Sequence, residues 1–131
     1  MIRLFALLFS AVMMAAGPEA VAPSPLIAFT RTGGLAGFDD SVEILPSGKT
    51  SIKTRGGSRS ARLSTSAMSQ LTRRLRSSRL FDQDRAYTTS EGADHMTYTL
   101  RYQKATVTMH DDKVPAQLKA AVDQLLRLIQ P

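Results

Sequence analysis

The side chains best suited to chemistry in this chain are two histidines and two pairs of adjacent aspartates. His110 is followed directly by Asp111 and Asp112, and His95 lies upstream in a polar stretch beside Asp94. A zinc site needs three or four ligands at a defined spacing, and neighbouring side chains in a strand point to opposite faces. The pattern therefore favours a solvent-facing histidine beside acids that precede a helix, so we predict no metal site and no cofactor.

The sequence also lacks the groups that a catalytic nucleophile requires. There is no cysteine, which excludes thiol nucleophiles and zinc–thiolate sites. Serines are abundant, but none lies in a G-x-S-x-G elbow or an S-x-x-K motif. Asp39 and Asp40 are adjacent, so a strand would splay their carboxylates apart. We therefore predict that the chain is not an enzyme.

A glycine-rich segment, residues 33–37, invites comparison with phosphate-binding loops. It lacks the Lys-Ser or Lys-Thr pair of a P-loop, and no helical pattern follows it. Glycine permits backbone conformations that other residues avoid, so the segment is interpreted as an excursion between two strands. Such a loop presents Leu35 and Phe38 to a binding partner, because its backbone projects from the body of the domain.

Positive charge is concentrated in the middle of the chain. The net charge is +6, and residues 49–79 contain nine basic side chains and no acidic one. Aromatic stacking residues and base-reading motifs are missing beside this stretch, so nucleic acid is not the expected partner. The remaining ligands for a basic surface are an anionic envelope polymer, an anionic lipid or an acidic protein. The side chains of this predicted basic face are Arg73, Arg74, Arg76 and Arg79.

The N-terminus has the pattern of a secretory signal peptide. A positive start at Arg3 precedes residues 4–16, an uncharged run that is short for a membrane span of roughly 20 residues. Residues 17–25 form a spacer broken by prolines, and the predicted mature domain covers residues 26–131. The pattern predicts Sec-type export to the periplasm or out of the cell. Membrane contact is then expected only through an uncleaved signal or an anionic surface.

The predicted mature domain alternates strand and helix signals. In chain order we predict strands at 26–32, 41–45 and 50–55, a polar link at 56–60, a helix capped by Ser64 or Thr65, a polar loop at 82–95, a hairpin of strands 96–102 and 105–110, and a helix opening at Pro115. The apolar stripe of the last helix consists of Leu118, Ala121, Val122, Leu125 and Ile129. The order βββ-α-ββ-α predicts an α+β fold, with an antiparallel sheet of about five strands and two helices on one face.

Three segments of the sequence resemble the emfourin family. The first is FTRTGGLAG at residues 29–37. The second runs from YTLRY at 98–102 through VTMHDD at 107–112 to Pro115. The leucine-rich helix end, LLRLI at 125–129, is also similar. The resemblance spans about residues 26–130, nearly the whole mature domain.

The emfourin family is named for a small protein that inhibits thermolysin-like zinc metalloproteases. The resemblance implies that this chain is an inhibitor, with an exported zinc metalloprotease as its protein partner. A rigid sheet carrying the glycine-rich loop at 33–37 is then expected to place Leu35 and Phe38 in the cleft of the enzyme. A carboxylate would then approach the zinc of the enzyme, and the sequence does not select among the four paired aspartates. The predicted partner-binding residues are Arg31, Gly33, Gly34, Leu35, Phe38, Asp111 and Asp112.

Overall fold

The computed structural model describes residues 24–89 and 94–130, which form a mixed α+β fold. In chain order the elements are β1 (Ile27–Gly33), β2 (Phe38–Ile44), β3 (Lys49–Thr54), β4 (Gly57–Arg62), α1 (Thr65–Ser78), β5 (Arg85–Tyr87), β6 (Met96–Tyr102), β7 (Ala105–His110) and α2 (Lys119–Ile129). The predicted α+β class is confirmed. The predicted signal and spacer, residues 1–25, lie outside the described residues except for the last two positions.

The seven strands belong to one sheet with the order β4-β3-β2-β1-β6-β7-β5. All neighbouring strands are antiparallel except β5 and β7, which are parallel. The prediction of about five strands, all antiparallel, is therefore wrong in number and in this one pairing. The two strands that the prediction lacked lie at the two edges of the sheet.

The core lies on one face of the sheet. Phe29 on β1 is directly opposite Val42 on β2 and Leu100 on β6, and all three are fully buried. Residues opposite each other in paired strands project from the same face. Both helices contribute to the same apolar cluster, α1 through Leu71 and Leu75. The predicted apolar stripe lies on α2 and the turn before it, and all of its residues are buried: Leu118, Ala121, Val122, Leu125 and Ile129.

Strand β4 replaces the polar link that was predicted for residues 56–60. It pairs with β3 along its whole length, and all of its residues except Ala61 are exposed. A strand at a sheet edge is held by backbone hydrogen bonds, so it does not need the alternating apolar residues that sequence analysis relies on. Its Arg59 donates hydrogen bonds to the carbonyl oxygens of Leu128 and Gln130 at the end of α2.

Strand β5 lies inside the polar loop predicted for residues 82–95. Arg85 anchors it by donating to the Leu80 carbonyl oxygen at 3.1 Å and to Asp82 at 2.8 Å. The hydrogen bond from Arg85 to Asp82 lowers the pKa of the Asp82 carboxyl below its ordinary value. Asp84 accepts a hydrogen bond from the backbone N–H of Thr106 at 2.9 Å, which fixes the strand beside β7. Three residues are too few to give a periodic signal in the sequence.

The hairpin and the first helix follow the sequence closely. Strands β6 and β7 pair from Thr97–His110 to Tyr102–Ala105, with Gln103 at φ 57° in the predicted turn. Helix α1 is capped by the Ser64 hydroxyl, which accepts from the N–H of Ala67 at 3.1 Å. The last helix differs from its prediction, because Pro115 precedes a 3-10 turn (Ala116–Leu118) and α2 begins only at Lys119.

Candidate functional site

The glycine loop, residues 33–37, connects β1 to β2 and carries the most exposed large apolar side chain of the described residues. Gly33, Gly34 and Gly37 have φ values of 91°, 76° and 62°, which L-residues with a side chain rarely adopt. The N–H of Gly37 donates to the carbonyl oxygen of Gly34 at 3.1 Å and closes the turn. Leu35, at the tip, is 90% exposed. The loop therefore holds a leucine out in water.

Basic side chains fix the glycine loop to the sheet. Arg55, just after β3, donates to the carbonyl oxygens of Ala36 at 2.5 Å and Gly37 at 3.4 Å. Arg31 donates from two nitrogens to one carboxylate oxygen of Asp40, at 2.6 and 2.8 Å. The guanidinium of Arg31 also lies over the Phe38 ring, 4.3 Å from its centroid. These contacts restrict the loop, so little conformational entropy remains to be lost on docking.

The structure divides the predicted partner-binding residues into two groups. Leu35 and Gly33 are exposed to solvent, whereas Gly34 is half-buried beside Met96. The side chain of Arg31 is only 16% exposed and is paired with Asp40, whereas Phe38 is half-buried beneath it. Arg31 and Phe38 therefore support the loop from below, and Leu35 is the side chain of this segment that a partner meets first.

Asp111 and Asp112 lie at the same end of the sheet as the glycine loop. The N–H of Asp111 donates to the carbonyl oxygen of Met96 at 2.9 Å, and Met96 is directly opposite Gly33 across the β1–β6 pair. A Cβ atom added to Gly34 would lie 3.1 Å from the Cγ atom of Met96, so the loop packs closely on β6. Two of the three segments that resemble the family are thus neighbours in space, although they are far apart in the sequence.

His95 joins the two aspartates in what we name the histidine–aspartate cluster (His95, Asp111 and Asp112). Its Nδ1 atom lies 3.4 Å from Oδ1 of Asp111 and 3.5 Å from Oδ1 of Asp112. The imidazole ring stacks on that of His110, with centroids 5.2 Å apart and planes at 4°. Nδ1 of His110 accepts a hydrogen bond from the N–H of Thr89 at 2.9 Å.

Sequence analysis missed this cluster, although the hairpin contains the signal for it. A turn at residues 103–104 pairs Thr97 with His110, as the structure shows. Continued by two residues, the same register sets His95 opposite Asp112. The residues next to each histidine along the chain do not indicate this cluster, because it depends on the strand register beyond the predicted end of the strand.

Tyr98 lies beneath this end of the sheet, close to the cluster. The side chain is buried, and burial raises the pKa of its hydroxyl above the ordinary value of 10.0. The negative charge of Asp111 raises this pKa further, and the positive charge of Arg31 opposes the change. The neutral phenol is therefore the stable form at this position.

The predicted basic face is only partly available to a ligand. Arg73, Arg76 and Arg79 are exposed, whereas Arg74 is half-buried and donates to Oε1 of Gln124 on α2 at 2.7 Å. Arg79 ends α1 with φ 58°. Arg76 and Arg79 line a shallow cleft with residues of the β6–β7 turn, at the end of the sheet opposite the glycine loop.

Two groups of residues that could bind a partner or an ion therefore lie at one end of the sheet, and a basic surface lies at the other. The first end offers an exposed leucine on a restricted loop, and an imidazole with two carboxylates. Among the described residues, no helix has the length and apolar character needed to cross a membrane. In comparisons with known proteins, no protein-family model matches this chain, and no curated protein matches it significantly.

Proposed function

We propose that this chain is an exported, emfourin-like inhibitor of a thermolysin-like zinc metalloprotease, and that it acts as a binding protein without catalysing a reaction. The glycine loop docks at the protease cleft, with Leu35 as the apolar anchor. The observation that carries this proposal is the 90% exposure of Leu35 on a loop held by hydrogen bonds and an ion pair. An exposed leucine has no stabilising role in the free domain, and interfaces are commonly built around such apolar anchors.

The neighbouring aspartates support the same proposal. Asp111 and Asp112 are exposed and lie at the same end of the sheet as the glycine loop. When Leu35 enters an apolar cleft, a carboxylate beside the loop can approach a catalytic zinc ion, for which carboxylate oxygen is an ordinary ligand. The rigid connection between these groups favours binding, because restricted loops lose little entropy on association.

The test compares inhibition by the wild-type chain with that of Leu35→Asp. Burying a leucine side chain is worth about 1.5–3 kcal/mol, which corresponds to about 10- to 150-fold in affinity. We expect Leu35→Asp to weaken inhibition of a thermolysin-like protease at least tenfold, with the melting temperature unchanged. Ala120→Asp is the matched control, because Ala120 is exposed on α2 and gains the same charge.

Two results would refute this proposal. The first is a wild-type chain that does not slow any exported metalloprotease at stoichiometric concentration. The second is inhibition in which the protease loses its zinc to the chain, measured as the zinc content of the separated protease, because that pattern shows removal of the metal and not docking. Equal inhibition by wild type and Leu35→Asp would refute the role of the loop while leaving inhibition itself established.

A second candidate function is binding of an anionic polymer or lipid by the basic face. Three exposed arginines at the end of α1 favour it, and no acidic residue lies between Lys49 and Arg79 in the sequence. Such binding is electrostatic, so it weakens steeply between low and moderate salt. A variant with Arg73, Arg76 and Arg79 changed to glutamate should lose this binding and keep protease inhibition. Loss of inhibition in that variant would instead assign the basic face to the protease contact.

A further inference from the structure

The histidine–aspartate cluster has the composition of a metal site. It supplies one imidazole nitrogen and two carboxylate oxygens, all within 4.8 Å of one another. The side chains are 24%, 34% and 46% exposed for His95, Asp111 and Asp112. The ligand atoms are therefore anchored in the domain and still open to an ion from solvent.

The spacing of the ligand atoms fits a tetrahedral ion. Zinc binds histidine nitrogen and carboxylate oxygen at about 2.0–2.2 Å, so two ligands at a tetrahedral angle lie about 3.3–3.6 Å apart. The observed separations of the His95 Nδ1 atom from the two aspartate oxygens are 3.4 and 3.5 Å. The two carboxylate oxygens lie within 4.8 Å of each other. Asp112 is the most exposed of the three side chains and therefore has the most room to adjust.

The backbone holds the three ligands from two directions. Asp111 is tied to β6 by its N–H, which donates to the carbonyl oxygen of Met96, the residue after His95. A turn follows, closed by the N–H of Lys113 donating to the carbonyl oxygen of His110. The stacked ring of His110 orients His95, while its own Nδ1 atom is occupied by the N–H of Thr89. The group of ligand atoms within 4.8 Å of one another does not include His110, so the role of His110 is to position His95.

The electrostatics of the cluster favour a cation. Two carboxylates this close repel each other unless a positive charge lies between them. Within the described residues, His95 is the one basic side chain within salt-bridge distance of both aspartates. A divalent ion bound to all three groups offsets both negative charges.

We propose that His95, Asp111 and Asp112 bind one divalent transition-metal ion of the zinc class, with a water molecule completing the coordination. Imidazole with carboxylates suits Zn²⁺ better than Ca²⁺ or Mg²⁺, which select oxygen ligands alone. The proposal does not depend on protease inhibition, and an ion held by both carboxylates leaves Leu35 as the contact with a protease. It replaces the expectation from the sequence that this chain has no metal site.

The test is calorimetric titration of the purified, metal-free chain with Zn²⁺, accompanied by thermal melting. We expect one ion per chain and a higher melting temperature with zinc. Mutation of an outer-shell partner typically costs about 10- to 100-fold in metal affinity, so loss of a direct ligand should cost at least about 100-fold. His95→Gln, Asp111→Asn and Asp112→Asn are the three variants, each at a partly exposed position that tolerates an amide.

Asp39→Asn is the matched control, because it also removes one negative charge from an exposed aspartate. Asp39 lies on β2, which is separated from β7 by β1 and β6, so it is not part of the cluster. It should bind zinc like the wild type. Absence of saturable zinc binding by the wild type would overturn the proposal, as would unchanged affinity in His95→Gln and Asp112→Asn. Calcium binding as tight as zinc binding would overturn the assignment to the zinc class.

Discussion

Replacing Asp40 with asparagine tests whether a buried charge pair holds the end of the sheet that carries the glycine loop. The carboxylate of Asp40 is 5% exposed, and it accepts from Arg31 at 2.6 and 2.8 Å. Removing one partner of a buried pair leaves an uncompensated charge and costs about 3–5 kcal/mol. Because the Arg31 side chain keeps 16% of its surface in water, we expect the lower end, about 3 kcal/mol.

A loss of about 3 kcal/mol lowers the melting temperature of a domain of this size by roughly 12–24 °C. The measurement is the free energy of unfolding in urea, supported by calorimetric melting. Asp39→Asn is the control, since the adjacent Asp39 is exposed and a surface change of this kind stays within about 0.5 kcal/mol. The double variant Arg31→Met/Asp40→Leu should recover most of the loss, because apolar residues often replace a buried pair without cost.

A loss of less than about 1 kcal/mol in the free energy of unfolding of Asp40→Asn would refute the reasoning, because a loss that small is expected of a surface ion pair. The same result would remove the argument that the pair restricts the glycine loop. If stability falls as expected, the variant should also inhibit the proposed protease less well when assayed below its melting temperature. That second outcome separates support of the loop from stability alone.

Two further predictions concern Tyr98 and Gly48. The raised pKa of Tyr98 means that the unfolded chain loses the phenolic proton at lower pH than the folded chain. Its contribution to stability is therefore intact below about pH 10 and lost as pH rises towards the folded-state pKa, with a slope of at most about 1.4 kcal/mol per pH unit. Urea midpoints of Tyr98→Phe should fall less steeply above pH 10 than those of the wild type, and an equal slope would contradict the assignment. Gly48 has φ 90°, and a Cβ atom there would lie 2.9 Å from the carbonyl oxygen of Leu63. Gly48→Ala should therefore destabilise the domain by more than the roughly 1–2 kcal/mol of a left-handed backbone conformation alone. The measurement is the free energy of unfolding in urea, with Gly57→Ala, at φ 130° and with open space around it, as the comparison without a close contact. A loss below about 1 kcal/mol in Gly48→Ala would contradict the prediction.

The sequence predicts the interior of the sheet well and its edges poorly. Strands β1, β2, β3, β6 and β7 bury alternate side chains over most of their length, and this burial produces the alternation that is visible in the sequence. Strand β4 buries none of its side chains fully, so the glycines and serines that suggest a link are tolerated. Its pairing depends on β3, which is a tertiary effect with no signature in the strand itself.

The candidate site shows the same division. The glycine loop follows from local chemistry, because positive φ values at Gly33, Gly34 and Gly37 are what the sequence leads one to expect. The approach of His95 to Asp112 depends on the register of a hairpin continued past its last pair. Likewise, the burial of Arg31 against Asp40 depends on which face each strand turns to the core. Spacing along the chain is a guide to conformation, and only the strand register shows which distant residues meet.

Strand β4, with its exposed backbone at one side of the described sheet, also bears on how this protein behaves when concentrated. Open strand edges are templates on which a second molecule can add its own strand, the first step towards fibrils. Here the outermost strand carries Arg59 and Arg62 among small polar residues, so two copies brought edge to edge repel each other and gain almost no apolar contact. The polar and basic residues of β4 thus work against pairing of two copies through this edge of the sheet.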